Sequence, residues 1–216
     1  MFRSLEKTSV PTPPVSLADA KLALRIGADD TSLDAVIQDL VTAATERAEH
    51  DTDRSLTQVS WLLTMPSWIM SMVDLGRPPM QTLPAWPLYI ACWPLAPYLE
   101  LPRPPLVSVD AVHYYDANGN FTALDAAIYT VDLAPRCGRI CLLPNQVWPI
   151  VSRRWDSVQI SFTAGWPTPA AVPAGIRVGI KKLTSYWFYN PGAGDVPPEI
   201  ARIFEQYAVK LRGYAS

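Results

Sequence analysis

Apolar residues in the first 55 positions recur with a helical period. After an arm punctuated by Pro11, Pro13 and Pro14, Ser16 is placed to cap a short helix. That helix has Asp19 in its first turn, turns Leu17, Ala20 and Leu24 inward and is expected to end at Gly27. A longer helix follows from Thr31 or Ser32. Leu33, Val36, Ile37, Leu40, Val41, Ala44 and Ala48 form its apolar stripe, and Asp34, Gln38, Asp39, Glu46 and Glu49 form an acidic outer face. The helical period stops near Arg54.

The period then changes to two. Ser55 to Thr64 reads as a strand. Val107, Val109 and Ala111 alternate with Ser108 and Asp110 in a second strand that runs to Tyr115. Asp116 to Asn120 predicts a hairpin turn, with Asn118-Gly119 able to take positive φ. Further strands are expected around Ala127–Leu133 and, after a turn over 135–138, at Arg139–Leu143. The last strand is the clearest: Val158, Ile160, Phe162 and Ala164 face one way, Gln159, Ser161 and Thr163 the other. Between the first two strands lies a segment, 66–99, rich in Pro, Trp and Met and without a period. A run this apolar must be covered by its own domain or by a neighbour.

Helical spacing returns at Pro173, with Ile176, Ile180, Leu183 and Trp187 on a stripe that Asn190-Pro191-Gly192 ends. A final helix opens near Pro197-Pro198-Glu199 and carries Ile200, Ile203, Phe204, Tyr207, Leu211 and Tyr214 on one side. The expected fold is α+β. A bundle of about four helices, from 1–55 and 172–216, carries an antiparallel β-rich insertion, 56–171, between helices two and three.

Composition adds three constraints. Only 18% of residues are charged against 49% hydrophobic, which favours burial of surface against other subunits. The net charge of −2 leaves no basic footprint for wrapping nucleic acid. The charge is also uneven: residues 1–55 hold six Lys/Arg against ten Asp/Glu, and residues 172–216 hold six against three. Such a chain can pair head to tail with copies of itself. Cys92, Cys137 and Cys141 read as free thiols in a reducing compartment, because no apolar signal-peptide core precedes them. The one long uncharged stretch, Pro78 to Leu99, is broken by six prolines and is not a membrane span.

The motifs of chemistry are missing. There is no nucleophile elbow, phosphate loop, dinucleotide fingerprint or zinc-protease helix. The two histidines, His50 and His113, read as structural residues. Asp116-x-Asn118-x-Asn120 begins like a calcium loop, but Phe121 and Ala127 stand where Gly and Glu are needed. No enzyme activity, cofactor or metal is expected. A sugar-binding module, with Trp86 and Trp93 stacking on a ligand, is an alternative from a different class.

The order of these pieces resembles the phage head–tail connector (adaptor, or head-completion) proteins, in a longer subfamily with a β insertion that also occurs in gene transfer agents. The paired-helix part is carried by Ser16-Leu17-Ala18-Asp19-Ala20-Lys21, Asp29-Asp30 and Leu33 through Glu49. The β part is carried by Leu101 through Val109, Tyr114-Tyr115-Asp116, Tyr129-x-Val131-Asp132 and Phe162-Thr163-Ala164-Gly165-Trp166, followed by Val172-Pro173 and Tyr186-Trp187. The resemblance implies a homo-oligomeric ring, usually of twelve subunits, under the portal protein of a filled capsid. Such a ring extends the DNA channel and recruits a stopper or tail-completion protein. Double-stranded DNA would pass through the lumen without sequence-specific binding, and no membrane is involved. The location would be the virion, after assembly in the bacterial host cytoplasm. Another neck or tail-completion role is the nearest alternative. Expected subunit contacts are Trp68, Trp86, Tyr89, Trp93, Tyr98, Phe204, Tyr207, Leu211 and Tyr214. Asp34, Asp39 and Glu46 are candidates to face the channel.

Overall fold

A computed structural model describes residues 4–68, 98–133 and 138–209. Its elements follow the order helices, strands, helices, with one strand ahead of them all. Helix α1 (Leu17–Leu24) starts where Ser16 Oγ accepts the Asp19 N–H at 3.1 Å. It ends short of Gly27. Arg25 takes the left-handed conformation (φ 59), and the N–H groups of Arg25 and Ile26 return to the Leu22 and Lys21 carbonyls.

Helix α2 (Asp34–Thr52) has no side-chain cap; the Asp30 carboxylate instead ties the preceding turn through the Ser32 N–H and hydroxyl. Its buried stripe is Ile37, Val41, Ala44 and Ala48, as the period predicts. Leu33 and Val36, expected on that stripe, are exposed. Helix α3 (Ala174–Tyr189) follows Pro173, and α4 (Pro198–Glu205) opens on Pro198, where a missing N–H costs no helical bond. Ile37, Val41, Ala44, Ile176, Ile180, Leu183 and Phe204 close one core between the helices. Glycine sets the α3–α4 spacing. A Cβ at Gly179 would lie 2.6 Å from the Phe204 ring, and one at Gly175 would lie 2.5 Å from the Tyr207 hydroxyl.

The strands of the described residues are β1 (Ser4–Lys7), β2 (Val59–Met65), β3 (Tyr98–Glu100), β4 (Leu106–Tyr115), β5 (Phe121–Ala123), β6 (Tyr129–Asp132), β7 (Arg139–Leu142) and β8 (Val158–Ala164). They form a five-stranded antiparallel sheet in the order β1-β2-β8-β4-β5 and a three-stranded one in the order β3-β7-β6. Central β2 and β8 alternate strictly between buried and half-buried positions, pairing Trp61 with Phe162 and Leu63 with Ile160. Leu99, Leu101 and Ile140, on or beside the small sheet, complete the same core.

Three sequence expectations change here. The N-terminal arm contributes β1 to the large sheet, pairing Lys7 with Trp61, so the β unit draws on residues outside 56–171. The strand expected from Ser55 begins at Val59, because buried Ser55, Leu56 and Thr57 sit where the two units meet. Ala126–Ile128 is a single 3-10 turn capped by Asp125, and the strand begins only at Tyr129. The Asp116 turn forms as expected, with Gly119 at φ 83. Asp116 Oδ1 accepts the Asn118 and Asn120 amides, each at 2.8 Å, and these bonds hold the carboxylate below its usual pKa.

A polar joint ties the units together. Glu49, read from the period as an outer-face residue, is only 5% exposed. Its Oε2 accepts Lys7 Nζ of β1 at 2.7 Å, and its Oε1 accepts the buried Leu56 N–H at 3.0 Å. Arg103, itself left-handed at φ 62, donates Nη1 to the Glu49 carbonyl at 2.8 Å, a cation at a helix C-terminus. Arg103 and Lys7 both lie over the Trp61 ring, at 5.8 and 5.5 Å. Gly165, at the end of β8, passes so close to the chain that its Cβ would lie 2.0 Å from the Thr57 carbonyl.

Asp53, which closes α2 in the left-handed conformation at φ 51, gives this joint a pH dependence. Burial raises its carboxyl pKa, against the opposing charges of Arg103 and His50. A pKa raised on folding means that the group's favourable contribution is complete below its unfolded pKa and is lost as pH rises through the folded value. Asp53→Asn keeps a side chain suited to positive φ and removes the charge. Its stability relative to the native chain should therefore improve as pH rises above the ordinary carboxylate range. Melting curves through and above that range test this; an advantage that fails to grow with pH refutes it.

Candidate assembly interface

The four described residues among those singled out for subunit contact, Trp68, Tyr98, Phe204 and Tyr207, do not form one surface. Trp68 belongs to the chain's own β core. Its ring stacks on Trp148 at 4.8 Å, and its Nε1 donates to the Pro149 carbonyl at 2.9 Å. Phe204 is fully buried against Gly179. Each of these two aromatics is already covered within the chain by residues distant in sequence. Tyr207 is half-buried, and its carbonyl accepts Arg54 Nε at 2.8 Å. Tyr98, on edge strand β3, stays exposed beneath the Arg139 guanidinium, 5.0 Å from its ring centroid. Trp86, Tyr89, Trp93, Leu211 and Tyr214 lie outside the described residues, as do Cys92 and Cys137.

The acidic candidates also separate. Asp34 is half-buried and paired with the buried Lys21 at 2.8 Å. Asp39 and Glu46 are exposed on α2 and make no ion pair among the described residues. Between them and the helix end lies Arg47, paired with Asp51 at 3.0 Å, so the outer face of α2 is mixed rather than uniformly acidic.

Two exposed apolar regions escaped the periodic reading. One is the loop after β7, where Val147, Ile150 and Trp155 are exposed beside half-buried Trp148. It has no regular structure and so no period to find. The other is the outward stripe of α3, with Val178, Lys182 and Tyr189. This stripe runs beside the core positions Ile176, Ile180 and Leu183 and is legible as their complement. It borders a cleft of about 530 Å³ between α1, α3 and α4.

Among the described residues no three His, Cys, Asp or Glu converge as a metal site, and no helix is long and apolar enough to cross a membrane. Cys141 is a half-buried thiol on β7, its pKa raised chiefly by burial. His113 stacks on Phe121 at 4.9 Å, and His50 is exposed at the end of α2.

Residues 14–89 match the family described as phage gp6-like head-tail connector protein. The fold as a whole is similar to a chain in the neck of an empty GTA particle computed with C6 symmetry, at a TM-score of 0.71 and 20% identity over 96% of both chains. A chain in the virion of a native gene transfer agent particle gives 0.69, and one in the neck of the native particle computed with C12 symmetry gives 0.65; identity and coverage are the same, 20% and 96%. No curated protein matches the chain.

Proposed function

We propose that this chain, a relative of the head-tail connector proteins, is a structural connector of a tailed phage or phage-like particle. It assembles as a ring under the portal, continues the DNA channel and recruits the stopper or tail proteins. The observation that carries this reading is the end-to-end likeness to a neck subunit, joined to a family match over residues 14–89, which include α1, α2 and β2. The sixfold and twelvefold symmetries of those necks favour a ring of twelve.

The role needs no covalent step, and the chain works as a non-enzymatic spacer. Its low charge leaves apolar surface for burial between copies. Each contact need be only modest, because a portal that presents its sites in a circle raises the effective concentration of every neighbour. The rigid joint at Glu49, Arg103 and Gly165 would keep the β unit at one angle to the helices, so that a circle of identical copies closes. Duplex DNA passes through the lumen without base-specific contact, and the finished ring resides at the head–tail junction of particles assembled in the host cytoplasm.

Negative-stain images of the purified chain mixed with the portal of the same particle test the reading. Added ring density on the portal is the expected result. No added density on the portal overturns it.

A further inference from the structure

We infer that copies of this chain join head to tail through opposite faces of the helical unit. The outer face of α2 on one copy seats in the cleft between α1, α3 and α4 of the next. The inference rests on the ring reading above and specifies its contact.

The geometry starts from the core. Helices α2 and α3 pack through Ile37, Val41 and Ala44 on one side and Ile176, Ile180 and Leu183 on the other, so their outer stripes point in opposite directions. The α2 stripe exposes Val36, Asp39, Ala43 and Glu46, with Val36 half accessible at 50%. Asp39 and Glu46 stand two turns apart, roughly 10 Å along the axis, with small Ala43 between them. The α3 side offers the complement. Ala23, Val178 and Ile200 line the cleft together with Lys181, Lys182 and Tyr189. Val178 is 47% and Tyr189 64% exposed. Lys181 is paired with Asp19 at 3.4 Å, whereas Lys182 makes no ion pair among the described residues. Among the described residues Glu199 is the one acid lining the cleft.

An acidic, partly apolar face and a partly apolar cleft that offers the unpaired Lys182, on opposite sides of one subunit, form a heterologous pair, and such pairs close into rings when the rotation allows. A neighbour also suits the α2 face better than an open channel does. The face mixes Val36 and the Arg47–Asp51 pair with its free carboxylates, and Asp34 beside it is already matched by Lys21.

The test uses the full-length chain with its portal. Glu46→Lys and Lys182→Glu lie on exposed positions and should leave the melting curve unchanged. Each alone should reduce ring occupancy on the portal by roughly tenfold, through like charges facing across every contact. Combining both substitutions in one chain should restore rings to within about threefold. So should an equal mixture of the two single variants, because alternating copies match at every contact. If both single variants assemble normally, the inference is overturned while the connector reading stands. Loss of rings that neither the combination nor the mixture repairs also overturns it. Failure of the unmodified chain to add a ring is a different outcome and sinks the connector reading itself.

Discussion

Gly165→Ala should cost the chain about 4 kcal/mol of stability, the range of a strained backbone combined with a core clash. For a protein of this size the melting temperature then falls by on the order of 10 °C. Two independent features require glycine here. The backbone sits at φ +116, outside the regions an L side chain enters readily, and the added methyl would lie 2.0 Å from the Thr57 carbonyl carbon's oxygen. Relief is not available locally. The Gly165 N–H is held by the Pro105 carbonyl at 2.8 Å, and Thr57 lies among the buried residues joining α2 to β2. Gly27→Ala is the matched control, since nothing lies within 4 Å of its Cβ position and its φ is not positive. Equal melting temperatures for the two variants would refute the account.

The second large effect lies at the C-terminal helix. Phe204→Ala is expected to destabilise by about 3–5 kcal/mol, because the ring is fully buried among the helices. Gly179 faces that ring, and Gly179→Ala alone should cost about 1–3 kcal/mol by overpacking. The two changes are not additive. Once the ring is gone, the methyl meets space, and Ala in mid-helix gains up to about 1 kcal/mol over Gly. Gly179→Ala should thus change sign in the Phe204→Ala background. A double-mutant cycle on chemical denaturation reads this directly. Additive losses would mean that α4 does not rest on Gly179.

Both predictions concern residues whose importance lies in what approaches them from elsewhere in the chain, and this divides what was legible from what was not. The α2 stripe of Ile37, Val41, Ala44 and Ala48 and the alternation along β8 were plain, because burial on one face imposes a period that neighbouring residues share. The Asp116–Asn120 turn was equally plain, since its hydrogen bonds stay within the turn. The fate of the residues expected at a subunit contact was less so. Trp68 and Phe204 looked like surface anchors by residue type, yet their partners, Trp148 and Gly179, are distant in sequence. Strand β1 is four residues long, too short to show a period, and exists because β2 offers it an edge.

Local chemistry along the chain was therefore enough for the α+β class, the succession of helices, strands and helices, the main turn and the unequal charge of the two ends. Only the tertiary structure decided that Glu49 turns inward to Lys7, that Leu33 and Val36 remain outside, and that the outer faces of α2 and α3 point apart. The reason is physical: a period records how one element divides inside from outside. Which neighbour covers that inside, and which face is left for another subunit, depends on contacts between residues far apart in the chain.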